Sequence, residues 1–277
     1  MNSAIFIISH ERADRVETYE TLRNSGYTGA LYVVIDNEDS MLPAYQDRFS
    51  DALLVFDKQF YIDNTDTLEN DKLRASPVYA RHAVEDYAQQ MNLDAFGMFD
   101  DDVKNLRYRW REDDIIRSIT LTKNLDTVFQ MYFQFILDTD IATTSFANVL
   151  LYIGGVDGIE SRISNNREMY QIHLRNSKFP YEWKSVVNDD AVTELSYHRQ
   201  GYMLWSLPFI VFDSPKMNTL PGGMKTVYDS VSEFRRAFLA TVAVPGVCKP
   251  VLSKGHWVVG RNKKACYPCI VSSRYKK

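Results

Sequence analysis

Three consecutive aspartates, Asp100, Asp101 and Asp102, follow an apolar run at positions 95–99. Carboxylates this close repel one another unless a cation or hydrogen-bond donors offset the charge. Hard oxygen ligands of this kind suit Mg²⁺ or Mn²⁺, with the ion bridging to a substrate diphosphate. Because side chains alternate along an extended chain, Asp100 and Asp102 point one way and Asp101 another, which gives a D-x-D pattern. An acidic loop that only solvates a turn is the plainer alternative. His256, beside Gly255, is the candidate for a further protein ligand, since imidazole binds Mn²⁺ and glycine permits close approach.

A second acidic pair, Asp189 and Asp190, stands where a helix begins. The helix N-terminus favours the charged form of either carboxylate, so the pair reads as an N-cap or as a general base, with Asp190 the better candidate. Arg12 and Arg81 suit bidentate pairing with a diphosphate, and Asp36 or Glu38 suits a ribose hydroxyl or a base N–H. Arg81 also has a bland reading as a surface partner of Glu85.

These residues need elements to hold them. Apolar runs at 4–8, 30–35, 52–56 and 95–99 each end in polar residues, the pattern of buried parallel strands running into loops. Helices are expected between them at 15–24 and at 77–91, the second capped by Ser76 with Pro77 in its first turn. Strands alternating with helices predict an α/β fold, an open and mostly parallel sheet covered on both faces, with ligands beyond the carboxyl ends of the strands. The second half reads as more mixed: a helix near 112–125, a strand at 131–137, hairpin strands through 169–174 and a helix from 188 to 202. One domain over 1–277 is expected, in two halves at 1–130 and 131–277.

The 277-residue chain is 45% hydrophobic with net charge −4, so it lacks the basic signature of a general nucleic-acid binder. From Leu252 onward, however, seven lysines and arginines occur without an acidic residue, enough to grip a polyanion locally or merely to solvate a tail. Aromatic residues Trp205, Trp257, Tyr267 and Tyr275 add stacking surfaces or simple filling. Three cysteines, Cys248, Cys266 and Cys269, argue against a disulfide framework. With no apolar stretch of membrane-spanning length and no leader signal, a soluble, cytoplasmic protein is expected.

Six segments taken together resemble the GT-A nucleotide-diphospho-sugar transferases: IISHERADR, VVIDNEDSMLPAY, SPVYARHAVEDYA, GMFDDDV, NDDAVTE and GHWVVGRNKK. Their order is similar to that of the phage TET-associated glycosyltransferases, which add sugars to 5-hydroxymethylpyrimidines in DNA. The resemblance implies that Ser9 and Arg12 line the nucleotide pocket, that Asp36 or Glu38 reads uracil or ribose, and that Arg81 and Asp101 lie on the donor. It further implies that Asp100 and Asp102 hold Mn²⁺ or Mg²⁺, that His256 completes the metal site and that Asp190, with Asp189, stands in the place of the base of inverting members. There the pair is Glu-Asp and here it is Asp-Asp, which leaves the stereochemical outcome open. A UDP-sugar donor and DNA carrying 5-hydroxymethylcytosine or a related base are the implied partners. Lys254, Trp257, Arg261, Lys263 and Lys264 are then the acceptor contacts. The rivals are a GT-A enzyme acting on protein, lipid or glycan and a non-catalytic module that binds nucleotide sugars. A nucleotidyltransferase would show an N-terminal glycine-rich loop, which this N-terminal segment lacks.

Overall fold

A computed structural model describes residues 1–68, 73–113, 115–148, 169, 171–215 and 224–261. In chain order the first half holds β1 (Ser3–Ile8), α1 (Glu17–Asn24), β2 (Ala30–Asp36), α2 (Leu42–Phe49), β3 (Leu53–Phe56), α3 (Lys58–Asn64), α4 (Val78–Gln90) and β4 (Ala95–Asp100). Then come β5 (Asn105–Glu112), β6 (Ile115–Thr120), α5 (Leu125–Asp138), β7 (Thr143–Asn148), β8 (Ile172–Asn176), α6 (Asp189–Arg199), β9 (Leu204–Asp213), α7 (Lys225–Ser230), α8 (Glu233–Ala243), β10 (Cys248–Ser253) and β11 (His256–Arg261).

Nine strands form one sheet in the order β3-β2-β1-β4-β8-β7-β9-β5-β6. The first four pair in parallel, as their unbroken apolar runs require of strands buried on both faces. One face packs Ile5, Ile7 and Phe99 against α1, α2 and α5, and the other packs Phe6, Phe96 and Met98 against α3, α4 and α6. The fold is therefore mixed α/β around a parallel core, with antiparallel pairings beginning at β4–β8. Ser76 accepts from the Val78 N–H at 3.3 Å, so the start of α4 lies where the sequence puts it.

Two expectations for the second half need correction. Residues 105–120 form the antiparallel hairpin β5–β6 and not a helix at 112–125. Arginine alternates with Tyr108 and Trp110, and Ile115, Ile116 and Ile119 are β-branched, while Asp113 turns the chain with φ 52°. Residues 131–137 belong to α5, because Phe129, Tyr132, Phe133 and Ile136 bury at helical spacing while Met131 stays exposed. Packing around Phe146 here overrides the strand preference of aromatic side chains. β8 pairs antiparallel with β7, the preceding described strand, and lies between it and β4. Helix α6 stops at Arg199, ahead of Gly201, which takes φ 92°.

Candidate functional site

The carboxyl ends of β1, β2 and β4 open into a cleft of about 130 Å³. Ser9, His10 and Arg12 enter it from the loop after β1, Asp36 from the end of β2, Lys58 from α3 and Asp100 to Asp102 from the end of β4.

β4 ends at Asp100, and the turn that follows at Asp101 and Asp102, not strand alternation, divides the aspartate run. Asp101 is buried and turned inward: its Oδ2 accepts from Ser9 Oγ at 2.6 Å and its Oδ1 takes Arg12 Nη1 at 2.7 Å. Tyr45 closes this cluster with its hydroxyl 2.6 Å from Ser9 Oγ. Thr18 clamps the turn from α1, donating to the Asp100 carbonyl at 2.6 Å and accepting the Val103 N–H at 2.9 Å. Asp100 keeps 34% of its side-chain surface open, and Asp102 is half-buried with Gln171 Nε2 donating to it at 3.0 Å. Ser9, Arg12 and Asp101 are thus spent largely on one another, while Asp100 and Asp102 face the cleft.

Across the cleft α6 begins with Asp189 and Asp190 in its first turn, after Asn188 in a left-handed conformation. Asp189 is buried and Asp190 partly exposed, with the Ala191 N–H donating to Asp190 Oδ1 at 2.6 Å. Arg81 joins the two acidic elements. It is 4% exposed, with Nε 2.9 Å from Asp189 Oδ2 and Nη2 3.8 Å from Asp100 Oδ1. Its guanidinium also lies 4.8 Å above the Trp183 ring. Arg81 is therefore a fully enclosed counter-ion and not the surface partner of Glu85. Glu85 pairs with Arg175 at 3.0 Å instead.

His173 completes the surround, with Nε2 2.7 Å from Arg81 Nη1. Because arginine only donates, that nitrogen accepts, and the imidazole is neutral, held well below its usual pKa by burial and then by Arg81 and Arg175. No sequence signal singles out His173, since an isolated histidine in a strand reads as core filling.

Five carboxyls thus face two guanidinium groups. Burial drives the Asp100 carboxyl up to about 8, with Arg81 opposing and the neighbouring aspartates adding to the rise. Burial and Asp101 push Asp102 to about 6, and burial and Asp189 push Asp190 to about 6. Oxygen ligands whose charge is left unbalanced in this way fit a hard divalent cation.

A second group of ligand type, His10, Asp36 and Asp39, has atoms within 4.8 Å of one another. Its charges are already matched. His10 Nδ1 lies 3.2 Å from Asp36 and 3.3 Å from Asp39, Lys58 Nζ lies 3.2 Å from Asp36, and backbone N–H groups of Glu11, Glu38 and Met41 bind these carboxylates. The carboxylates raise His10 to about 9, so in this arrangement it is a cation paired with them. Asp36 is thereby fixed at the end of β2, whereas Glu38 is exposed and paired with Arg74.

The remaining predicted residues lie elsewhere. His256 is exposed on β11 and bonded through Nδ1 to Glu233 at 2.9 Å, so the structure does not bring it to the aspartates. Lys254 forms the exposed tip of the β10–β11 hairpin with φ 51°, followed by Gly255 with φ 85°. Trp257 is half-exposed beside Phe234, and Arg261 ends β11. Lys263, Lys264, Cys266 and Cys269 lie outside the described residues, as do Tyr267 and Tyr275.

A family model described as TET-Associated Glycosyltransferase matches residues 3–213, a span holding every cleft element except Met224. The chain belongs to this family. It is accordingly a member of a glycosyltransferase family, with a mixed α/β fold of the GT-A kind. Among solved structures it is similar to S. aureus TarS 1-349 in complex with UDP-GlcNAc, at 9% identity and TM-score 0.50 over 89% of this chain and 67% of that one. It is also similar to the mannosyltransferase PcManGT from Pyrobaculum calidifontis in complex with GDP-Man and Mn²⁺, at 14% identity and TM-score 0.48. That match covers 78% of this chain, which spans only 58% of that enzyme's length. Glucosyl-3-phosphoglycerate synthase from Mycobacterium tuberculosis, in complex with Mn²⁺, UDP and phosphoglyceric acid, matches at 8% identity and TM-score 0.47 over 94% of this chain and 86% of that one. No curated protein sequence matches. Among the described residues of this TET-associated glycosyltransferase, no helix is long and apolar enough to cross a membrane.

Proposed function

We propose that the enzyme transfers a hexose from a UDP-sugar to the hydroxyl of 5-hydroxymethylcytosine, or a related hydroxymethylpyrimidine, in DNA. The observation that carries the donor half of this reading is the split of the aspartate run. Asp101 is neutralised inside by Arg12 and Ser9, while Asp100, opposed by Arg81 at 3.8 Å, and Asp102, with one Gln171 donor, present partly open oxygens at the rim of the parallel sheet. The DNA half is supported by the family's description.

Asp100 and Asp102 would hold Mn²⁺ or Mg²⁺. Bound there, the ion supplies positive charge to a departing diphosphate. Ser9, Arg12 and Asp101 hold the turn that aims the two ligands, and Asp36, fixed by His10 and Lys58, offers an acceptor at the nucleoside end. Asp190 is the general base. It is the accessible member of its pair, and a carboxyl near 6 is mostly ionised at neutral pH yet basic enough to take the proton from an acceptor hydroxyl. Asp189 stays locked on Arg81 and orients the turn. Residues 1–130 serve the donor and 131–277 the acceptor, with Lys254, Trp257 and Arg261 on the acceptor side.

The test is transfer of labelled sugar from a panel of UDP-sugars to hydroxymethylcytosine DNA and to plain DNA, with Mn²⁺ or with chelator. Metal-dependent labelling of the modified DNA alone is the expected result. Labelling of a protein, lipid or glycan in its place would move the enzyme to another acceptor class.

A further inference from the structure

Helix α8 and the β10–β11 hairpin pack on α6 through Ala240, Val244 and Cys248 against Val192 and Leu195, and form one unit. Helix α8 buries Ala237, Leu239 and Ala240 but leaves Phe234, Phe238 and Val242 exposed at 44%, 46% and 48%. Those three residues recur every fourth position, so they form one stripe along the helix. The Phe234 and Phe238 rings lie nearly parallel at 14°, with centroids 5.8 Å apart. Trp257, 39% exposed, stands edge-on to Phe234 at 5.0 Å, and Leu252 opposite it on the hairpin is 59% exposed. A contiguous exposed aromatic surface marks an interaction site far more than scattered apolar residues do.

The platform is fastened in place. Glu233 accepts from the Trp257 N–H at 3.1 Å and bonds His256 at 2.9 Å, tying the hairpin tip to the first turn of α8. Glu233 is also the only acidic residue from 232 to 261, where Arg235, Arg236, Lys249, Lys254 and Arg261 give five cations. This segment is therefore +4 in a chain of net charge −4, which leaves −8 for the remainder. The unit thus joins exposed aromatic faces to a positively charged stretch of chain.

Aromatic faces among cations match a nucleic-acid strand whose bases are unpaired: rings stack on rings without sequence preference and the cations track the phosphates. We propose that α8 and the β10–β11 hairpin form a stacking platform for unpaired bases of a nucleic-acid strand, with Phe234, Phe238 and Trp257 as the stacking surfaces. This deepens the reading above and rests on DNA being the acceptor. It adds that the strand is held with bases exposed, as for a base extruded from a duplex or a locally open strand.

The test is fluorescence anisotropy of a labelled thymidine homopolymer and of an unmodified duplex, without donor or metal, across a range of salt. The full-length protein should bind the single strand more tightly than the duplex. Each of Phe234→Ala and Phe238→Ala should weaken strand binding by about 5- to 150-fold where the ring carries a base, the factor set by roughly 1–3 kcal/mol per stacked base. Lys254→Gln should lower the slope of log affinity against log salt by about 0.7. Since both phenylalanines are exposed, the melting temperature of these variants should stay near that of wild type, which separates lost binding from lost fold. Equal binding by wild type and both alanine variants would overturn the platform. So would a wild-type dimer that Phe238→Ala dissociates, or anionic vesicles bound through these rings with no affinity for the strand. Strand binding that survives while no UDP-sugar is ever consumed would instead remove the transferase reading and leave the platform standing.

Discussion

Replacing Arg81 by methionine separates the electrostatic account of the site from its packing. The guanidinium is enclosed, lies 2.9 Å from Asp189 and 3.8 Å from Asp100, and is the group that opposes the rise of both carboxyls. Methionine keeps an apolar stem beside Trp183 but removes the charge. Removing one partner of a buried pair costs about 3–5 kcal/mol, because the other charge stays buried without compensation. At about 2–4 °C per kcal/mol for a chain of this size, the melting temperature at pH 7.5 should fall by roughly 6–20 °C. The loss should depend on pH in a defined direction. Without Arg81 the folded-state pKa of Asp189 rises further above the unfolded value of about 3.9, so the folded protein holds more protons than the unfolded chain between those two values. Stability of the variant then falls as pH rises through that window and recovers toward acid pH. Adding Asp189→Asn should recover about half of the loss, since the stranded charge is gone. Scanning calorimetry of wild type, R81M and R81M/D189N at pH 5.5 and 7.5 gives all three comparisons. An R81M protein that melts within about 1 °C of wild type at pH 7.5 would refute the claim that Arg81 is the shared counter-ion of the two acidic elements.

Asp100→Asn and Asp102→Asn should each abolish the thermal stabilisation by Mn²⁺ expected of the wild type, and should cut transfer by about a hundredfold or more, read by calorimetric metal titration and labelled-sugar transfer. Asp190→Asn should lower kcat by about 10²- to 10⁴-fold while UDP-sugar affinity stays within about twofold, and a variant that loses donor binding to the same degree would assign Asp190 to the donor site. His10 contributes stability through its raised pKa, so that contribution is fully present below about 6.5 and is lost as pH rises through about 9. Denaturant unfolding of wild type between pH 6.5 and 9.5 should therefore fall more steeply than that of His10→Gln, by at most about 3 kcal/mol over the interval. Identical slopes would show that His10 is not charged against Asp36 and Asp39.

Much of the donor half is written locally. Unbroken apolar runs such as Ala4 to Ile8 cannot be half-exposed strands, so they dictate a sheet covered on both faces, and their polar ends mark where a ligand must sit. The aspartate run marks the end of β4, though the turn at Asp101 and Asp102 sets their directions, and Ser76-Pro77 marks the start of α4 to within a residue. The tertiary structure decided the rest, because it depended on residues far apart in the chain. Residues 129–136 carry aromatic side chains that suit a strand, and only their burial against Phe99 and Phe146 makes them a helix. Arg81 looks like a surface arginine until β4, β8 and α6 close around it and turn it into a counter-ion for Asp100 and Asp189. His256 has the chemistry of a metal ligand, but the hairpin carries it to Glu233. Local sequence fixes which backbone shapes and side-chain directions are available, whereas the partner of a charge is set by which distant elements bury it.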